Sequence, residues 1–136
     1  MDVCDDTVLI PVNQQCERHD LKCILLNARS IRSKAFLFDS EVIDTYNPDI
    51  VLITETWLSS NVESNIFLCR NAYDVFRQDR GSNGGGIAVI VKKELNCSEK
   101  TWDVGIAEGL WLEITKPRHV IIGLFYNSAV GNVSSM

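Results

Sequence analysis

Short apolar runs alternate with polar turns along this chain. Two of the runs have the length and unbroken apolar character of buried strands, LKCILL at residues 21–26 and DIVLIT at residues 49–54. The segment Ser33–Tyr46 between them has apolar residues at helical spacing, and Asn47-Pro48 ends it because proline disfavours helix at itself and at the preceding residue. This order of strand, helix and strand predicts a βαβ unit with two parallel strands.

The pattern changes after residue 73 to strands joined by turns. The alternating run YDVFRQD and the apolar run IAVIVKK flank RGSNGGG, which predicts an antiparallel hairpin with a glycine-rich tip. A second hairpin is predicted where KPR separates LWLEIT from HVIIGLFY. The connection between the hairpins has the length for one further short strand. The chain is therefore expected to be α/β, with an early crossover and later hairpins.

The two ends differ in composition from the middle of the chain. Residues 1–20 are expected to form an irregular leader, and residues 127–136 a flexible tail of small and polar residues. Residues 21–126 are expected to form one domain. Nothing after Tyr126 could cover the face of the last hairpin, so we expect the chain to contain only part of a larger domain.

Composition and charge narrow the function classes. A hydrophobic content of 46% argues against disorder. The net charge of −5 argues weakly against a basic nucleic-acid-binding face, although divalent ions at an acidic site offset part of such a charge. Five cysteines without a C-x-x-C pair favour a reducing, intracellular location, nuclear or cytoplasmic. Neither secretion nor a membrane is expected, since no secretory signal pattern and no membrane-spanning apolar run occur.

Polar side chains stand at the ends of the two predicted parallel strands. Asn27 ends the first strand, and Glu55 follows the second. The carboxyl ends of parallel strands meet at one edge of a sheet, so these side chains should be neighbours. Both offer hard oxygen donors, which suit Mg²⁺ or Mn²⁺. The alternative, in which Asn27 satisfies a turn and Glu55 caps a loop amide, is equally consistent with position alone.

Other conspicuous residues have ordinary structural interpretations. The glycines Gly84–Gly86 lack the phosphate-loop pattern and predict a hairpin tip with positive φ. Arg77 and Arg80 flank that hairpin and are possible phosphate contacts, although a solvated hairpin face is the commoner reason for such charges. Tyr126, from position alone, is expected in the core. The three tryptophans are expected to be core or cover residues: Trp57, Trp102 and Trp111.

Five segments in order also carry a family pattern: LLNARSIRSK, NPDIVLITETWL, FRQDRGSNGGGIAVIVKK, EGLWLEI and IIGLFY. Together they resemble the opening half of an endonuclease/exonuclease/phosphatase domain. More narrowly, they resemble the apurinic-type endonuclease of LINE-type (non-LTR) retrotransposons. The resemblance implies a truncated part of a four-layer α/β sandwich. It also implies an enzyme family that cleaves phosphoester bonds with a divalent metal and, in its retrotransposon members, nicks DNA.

The resemblance assigns roles to three residues. Asn27 matches the amide of the first motif, Glu55 the metal-binding glutamate of the second, and Tyr126 the tyrosine that positions or polarises the scissile phosphate. It implies Mg²⁺ or Mn²⁺ as the metal and DNA as the substrate. No other cofactor is expected.

The chain departs from the family pattern after residue 126. It reads YNSAV where relatives have a proline-containing turn, and it lacks both the later G-D-F-N-like and the terminal S-D-H-like motif. Those motifs supply the aspartates, the second asparagine and the histidine of the family's site. We therefore expect a family member that is inactive as this chain, and the alternative is a non-catalytic remnant or interaction module.

Overall fold

A computed structural model describes residues 20–80, 84–101 and 109–126 of this chain. Within these ranges, seven strands lie in two sheets. Their bounds are β1 Cys23–Asn27, β2 Ile50–Thr54, β3 Tyr73–Gln78, β4 Ile87–Lys92, β5 Cys97–Lys100, β6 Gly109–Ile114 and β7 Val120–Phe125.

The first sheet has the strand order β1-β2-β4-β3. Strands β1 and β2 are parallel, and Asn27 lies opposite Thr54 at their carboxyl ends. Strand β4 pairs antiparallel with both β2 and β3. The predicted βαβ unit and the first predicted hairpin are thereby confirmed.

The crossover between β1 and β2 is helical but not regular. It begins with a 3₁₀ turn at Arg32–Lys34 and continues as α-helix at Ala35–Leu37, π-helix at Phe38–Ile43 and α-helix at Asp44–Tyr46. Asn47 ends it in the left-handed conformation, with φ of 47°. The helix was predicted at this position, whereas the wide π turn was not, because such turns arise from local packing. Three further 3₁₀ turns lie at Ser64–Ile66, Leu68–Asn71 and Lys93–Leu95.

The first sheet is covered on both faces. On one face the helical crossover and the connection after β2 pack on it, and Phe38 meets Phe67 edge to face at 6.2 Å between ring centroids. On the other face Leu52 and Val89 pack against Leu112 and other apolar residues of the second sheet. Strand β2 is consequently buried on both sides, as its unbroken apolar sequence predicted.

The second sheet has the order β5-β6-β7, and both of its strand pairs are antiparallel. This confirms the second predicted hairpin and the short strand before it. The outward face has an apolar patch in which Trp111 and Phe125 contact each other edge to face at 5.0 Å, and Ile121 is 38% exposed. Within the described residues nothing covers this patch.

Some expectations concern residues outside the described ranges. They include the irregular leader, apart from Asp20, the flexible tail at 127–136, and Trp102. In the part of the chain that the structure describes, no helix is long and apolar enough to cross a membrane.

Candidate active site at the strand ends

Three side chains meet where β1, β2 and β7 end. The amide Nδ2 of Asn27 donates to Oε2 of Glu55 at 3.4 Å. The hydroxyl of Tyr126, one residue after β7, donates to the same oxygen. The structure therefore brings together the three residues that the family resemblance singled out, two from the first sheet and one from the second. Their chemical roles remain predictions.

Backbone hydrogen bonds continue the pairing of β1 and β2 beyond the strands themselves. The N–H of Ala28 donates to the carbonyl of Thr54 at 2.9 Å, and that of Ser30 donates to the carbonyl of Glu55 at 3.0 Å. Glu55 has φ of 55°, in the left-handed region that residues with a side chain seldom adopt. The backbone carrying the carboxylate is thus held in an uncommon conformation by its neighbour.

The glycine-rich turn before β4 binds the opposite side of the same segment. The N–H of Thr56 donates to the carbonyl of Gly86 at 3.1 Å, and that of Trp57 to the carbonyl of Gly85 at 3.0 Å. Gly84, Gly85 and Gly86 have φ of 85°, 74° and 88°, which confirms the predicted positive φ. Sequence reasoning missed that these glycines contact the segment after β2.

Lys34 is a second residue that sequence reasoning missed. Its Nζ donates to the carbonyl of Ala28 at 2.6 Å and to that of Arg29 at 3.2 Å. Arg29 and Ser30 have positive φ, 47° and 83°, so this ammonium group stabilises an unusual turn directly after Asn27. The only signal in the sequence was a lysine soon after the first strand, which is too common a feature to predict the contact.

The hydrogen bonds around Glu55 favour its ionised form. The hydrogen bond from Tyr126 is the largest cause of the lowered pKa of Glu55, and those from Asn27 and Trp57 act in the same direction. The positive charge of Arg29 lowers this pKa further, whereas partial burial opposes the shift. Glu55 is therefore a carboxylate at neutral pH, as a metal ligand must be.

Trp57 was expected to be a core or cover residue, and the structure excludes the core. Its side chain is 40% exposed, and the residue has φ of 58°. The left-handed backbone turns the chain away from the direction of β2 immediately after Glu55, and the indole remains at the surface beside the carboxylate. A positive φ at a non-glycine residue depends on tertiary contacts and cannot be predicted from the sequence.

The two arginines that were predicted as possible phosphate contacts differ in their surroundings. The guanidinium of Arg77 forms an ion pair with Asp79 at 2.7 Å and also donates to the hydroxyl of Ser64 and the carbonyl of Ser59. The guanidinium of Arg80 lies over Gly85, so close that a Cβ there would be 2.3 Å from its Cζ. Phosphate contact remains a prediction for both residues.

The donor set at the strand ends fits a hard divalent cation. Glu55 offers a carboxylate and Asn27 an amide oxygen, and Mg²⁺ is commonly held by one or two carboxylates with water completing its shell. Among the described residues, no cluster of three or more histidine, cysteine, aspartate or glutamate side chains could hold a metal. Any cation at Glu55 would therefore rely on one carboxylate, the amide and water.

Comparison with known proteins identifies the family of this chain. Residues 37–128 match the model of the Endonuclease/Exonuclease/phosphatase family. The match covers more than half of the chain, so the chain belongs to that family. Members of this family generally depend on divalent metal ions. No curated protein matches this sequence.

Solved structures share the fold at low sequence identity. AP endonuclease LMAP from Leishmania major aligns with a TM-score of 0.63 and 14% identity over 85% of this chain and 43% of its own. An AP endonuclease from Archaeoglobus fulgidus aligns with a TM-score of 0.54 and 22% identity over 74% of this chain and 39% of its own. The 3′ phosphatase NExo from Neisseria, bound to a product DNA hairpin, aligns with a TM-score of 0.59 and 12% identity over 78% of this chain and 41% of its own.

The alignments confirm the predicted fold class, an α/β chain that forms part of the four-layer sandwich of this family. The chain spans less than half the length of each of these structures. A fold of the nuclease and phosphodiesterase type is thereby established.

Proposed function

We propose that Asn27, Glu55 and Tyr126 form part of a divalent-metal-dependent site that acts on DNA phosphodiester bonds, as in the endonucleases of LINE-type retrotransposons. The observation that carries the proposal is the convergence of Asn27 and Tyr126 on one oxygen of the Glu55 carboxylate. DNA as the substrate is supported by the solved relative bound to a DNA product. The five-segment resemblance supports the retrotransposon origin.

The side chains of this site have different proposed roles. Tyr126 and Asn27 donate to Oε2 of Glu55 and so orient the carboxylate, which would hold Mg²⁺ or Mn²⁺ together with the Asn27 amide oxygen. When bound, such a cation neutralises charge that develops on the phosphate and the leaving oxygen. Arg77 and Arg80 are the proposed phosphate contacts, and the Arg77 guanidinium is held in place by an ion pair and two hydrogen bonds.

We further propose that the 136-residue chain alone does not cleave DNA. The sequence contains neither of the two motifs that would add an aspartate to activate water and a histidine to support it. The members of a catalytic site act as a unit, so loss of one removes most of the rate enhancement. The family identity and the activity of this chain are therefore separate questions.

Nicking of supercoiled plasmid DNA in the presence of Mg²⁺ or Mn²⁺ tests both parts of the proposal. We expect the purified chain to nick no faster than its Glu55→Ala variant. Nicking that is clear in the wild type and lost in Glu55→Ala would contradict the proposed inactivity but support the proposed reaction. Turnover of soluble inositol phosphates without DNA nicking would favour a phosphatase instead.

Binding of Mn²⁺, followed by water-proton relaxation, tests the site without requiring turnover. We expect Glu55→Gln to weaken Mn²⁺ binding about tenfold or more, because the substitution removes the only carboxylate of the donor set. The matched control is Glu63→Gln, a glutamate in the connection after β2. Equal Mn²⁺ affinity in the wild type and in Glu55→Gln would exclude Glu55 as the metal ligand.

The second candidate is a non-catalytic remnant or an interaction module. The observation that favours it is the apolar patch of Trp111, Ile121 and Phe125 on the outer face of the second sheet. A chain that unfolds cooperatively, binds no Mn²⁺ at Glu55 and binds a hydrophobic dye at this patch would support it.

An intracellular location, nuclear or cytoplasmic, completes the proposal, with residues 21–126 as the partial domain. The cysteines that the structure describes, Cys23, Cys69 and Cys97, have free thiols, which is typical of reducing compartments.

A further inference from the structure

We infer that Gly86 is a positioning residue of the Glu55 site: its carbonyl, together with the absence of a side chain, fixes Thr56 and thereby aims the neighbouring carboxylate. The inference deepens the proposed function and rests on it to the extent that Glu55 is taken as the metal ligand. It gives the glycine-rich turn a role beyond that of a hairpin tip.

Thr56 is fixed on both sides by backbone hydrogen bonds. Its carbonyl accepts from the N–H of Ile31 at 3.0 Å, and its N–H donates to the carbonyl of Gly86 at 3.1 Å. Thr56 is also completely buried, at 0% exposure, although it is polar. The residue directly after Glu55 consequently has no freedom to move without breaking the extension of the sheet.

The space beside Thr56 admits only glycine at position 86. A Cβ built on Gly86 would lie 2.5 Å from Oγ1 of Thr56, well inside the distance at which such atoms touch. This hydroxyl cannot swing into solvent because Thr56 is buried, and it accepts a hydrogen bond from the N–H of Leu58 at 3.4 Å. A side chain at position 86 must therefore displace Thr56 itself.

Displacement of Thr56 would release Glu55. The φ of 55° at Glu55 is unfavourable for an L-residue and persists only where the surrounding structure enforces it. Once Thr56 moves, the carboxylate can relax away from Asn27 and Tyr126. The expected consequence is a site that loses its donor geometry while both sheets remain folded.

Gly85 supplies a matched control within the same turn. It also has positive φ, 74°, and its carbonyl also accepts a hydrogen bond, from Trp57 at 3.0 Å. A Cβ on Gly85, however, would meet the guanidinium of Arg80, the far end of a long, exposed side chain rather than a buried residue. Gly85→Ala therefore imposes similar backbone strain without displacing the residue next to Glu55.

A control for general destabilisation is available in the second sheet. A Cβ on Gly123 in β7 would lie 2.9 Å from the ring of Trp111, on the outer face of that sheet. Gly123→Ala is therefore expected to lower the free energy of unfolding without changing the turn that carries Glu55.

The experiment measures Mn²⁺ affinity and the free energy of unfolding for the wild type and for Gly86→Ala, Gly85→Ala and Gly123→Ala. We expect Gly86→Ala to weaken Mn²⁺ binding about tenfold or more, as is typical when a residue supporting a metal ligand is lost. The other two variants should stay within about threefold of the wild type, a change too small for a lost supporting contact. Wild-type affinity in Gly86→Ala, or losses in all three variants that follow their unfolding free energies, would overturn the inference.

A second-site variant separates displacement from backbone strain. Thr56→Ala removes the hydroxyl that the new Cβ would meet, so Gly86→Ala in a Thr56→Ala background should bind Mn²⁺ about as well as Thr56→Ala alone. This comparison also serves if Gly86→Ala by itself does not fold. A tenfold loss that persists in the Thr56→Ala background would contradict the steric mechanism.

If the wild type binds no Mn²⁺, the proposed metal site fails, and the inference is judged by NMR. We expect the side-chain amide signals of Asn27 and the backbone amide signal of Glu55 to shift in Gly86→Ala and to remain in place in Gly85→Ala. Unchanged signals in both variants would refute the positioning role.

Discussion

Two carboxylates flank the same buried strand, and they differ in burial, in hydrogen-bond partners and in backbone conformation. Asp49 precedes β2 and Glu55 follows it. Asp49 is only 6% exposed, its Oδ2 accepts from the backbone N–H of Lys22 at 2.8 Å, and its other oxygen faces the ammonium of Lys92 at 3.6 Å. Glu55 lies at the sheet edge, half-buried, and Asn27 and Tyr126 both donate side-chain hydrogen bonds to its Oε2.

The backbone around the two residues differs as well. Asp49 sits in regular pairing, donating to the carbonyl of Lys22 at 2.9 Å and accepting from the N–H of Lys92 at 3.0 Å. Glu55 has a left-handed backbone. A carboxylate that serves stability is buried and satisfied, whereas one that is available to a ligand stays at an edge and depends on its neighbours for orientation. Substitutions at and around the two carboxylates test this contrast.

The largest effect is expected from Asp49→Ala. The substitution leaves the N–H of Lys22 without its acceptor and the charge of Lys92 without its partner, which should lower the free energy of unfolding by about 3 kcal/mol. Urea denaturation measures this change in the free energy of unfolding. The matched control is Asp74→Ala, which removes the more exposed ion pair with Lys93 and should cost less than about 1 kcal/mol. Equal losses of unfolding free energy in the two variants would contradict the structural role of Asp49.

The next effect concerns Tyr73, whose buried hydroxyl donates to the carbonyl of Pro48, beside Asp49, at 2.7 Å. Tyr73→Phe should cost about 1 kcal/mol at neutral pH. Burial, followed by the nearby Cys69 and carboxylates, raises the pKa of Tyr73 from 10.0 to about 12. Between these values the unfolded chain releases the proton and the folded chain keeps it, so stability is present below pH 10 and falls as the pH rises towards 12.

Urea denaturation of the wild type and of Tyr73→Phe at neutral and alkaline pH isolates this contribution. The buried thiol of Cys23, with a pKa of about 11, titrates in both proteins and cancels in the difference, which therefore reports Tyr73 together with its interaction with Cys69. An identical alkaline loss in wild type and variant would show that Tyr73 does not contribute to it.

A smaller effect is expected from Tyr126→Phe at the other end of β2. Loss of the phenol donor should raise the pKa of Glu55, since that hydrogen bond is the largest cause of its depression. The side-chain carboxyl signal of Glu55, followed by ¹³C NMR during an acid titration, reports it. Asn27→Ala should raise the same pKa by less. A larger rise in Asn27→Ala than in Tyr126→Phe would reverse the assigned order of the two donors.

The smallest change in stability is expected from Glu55→Gln. We expect the free energy of unfolding to change by less than about 0.5 kcal/mol, because Glu55 is at the edge and the amide can accept the same hydrogen bonds. Urea denaturation beside Asp49→Asn, which should cost more, completes the comparison. A loss for Glu55→Gln as large as that for Asp49→Asn would mean that both carboxylates serve the fold.

Part of this contrast could be predicted from the sequence. The apolar runs and the helical spacing between them predicted β1, the crossover and β2, and the geometry of parallel strands then brought Asn27 and Glu55 together. These inferences succeed because they depend on residues close in sequence and on a strong handedness rule.

The remaining parts of the site depend on contacts between distant segments. Tyr126 reaches Glu55 from the other sheet, and only the family resemblance indicated this; by position alone it was expected in the core. The bonds from Thr56 and Trp57 to the glycine turn need the register of β2 against β4, which a one-residue slip would destroy. The exposure of Trp57 follows from a left-handed backbone that no pattern of residue types encodes.

That exposed indole gives the site an optical reporter of its own. Trp57 is two residues from Glu55, is 40% exposed, and contributes a side-chain hydrogen bond to the carboxylate. The emission of an indole responds to the polarity and charge around it. An ion or a nucleic acid that arrives at Glu55 should therefore change the fluorescence of the unlabelled protein, and comparison with Trp57→Phe assigns that signal to the site.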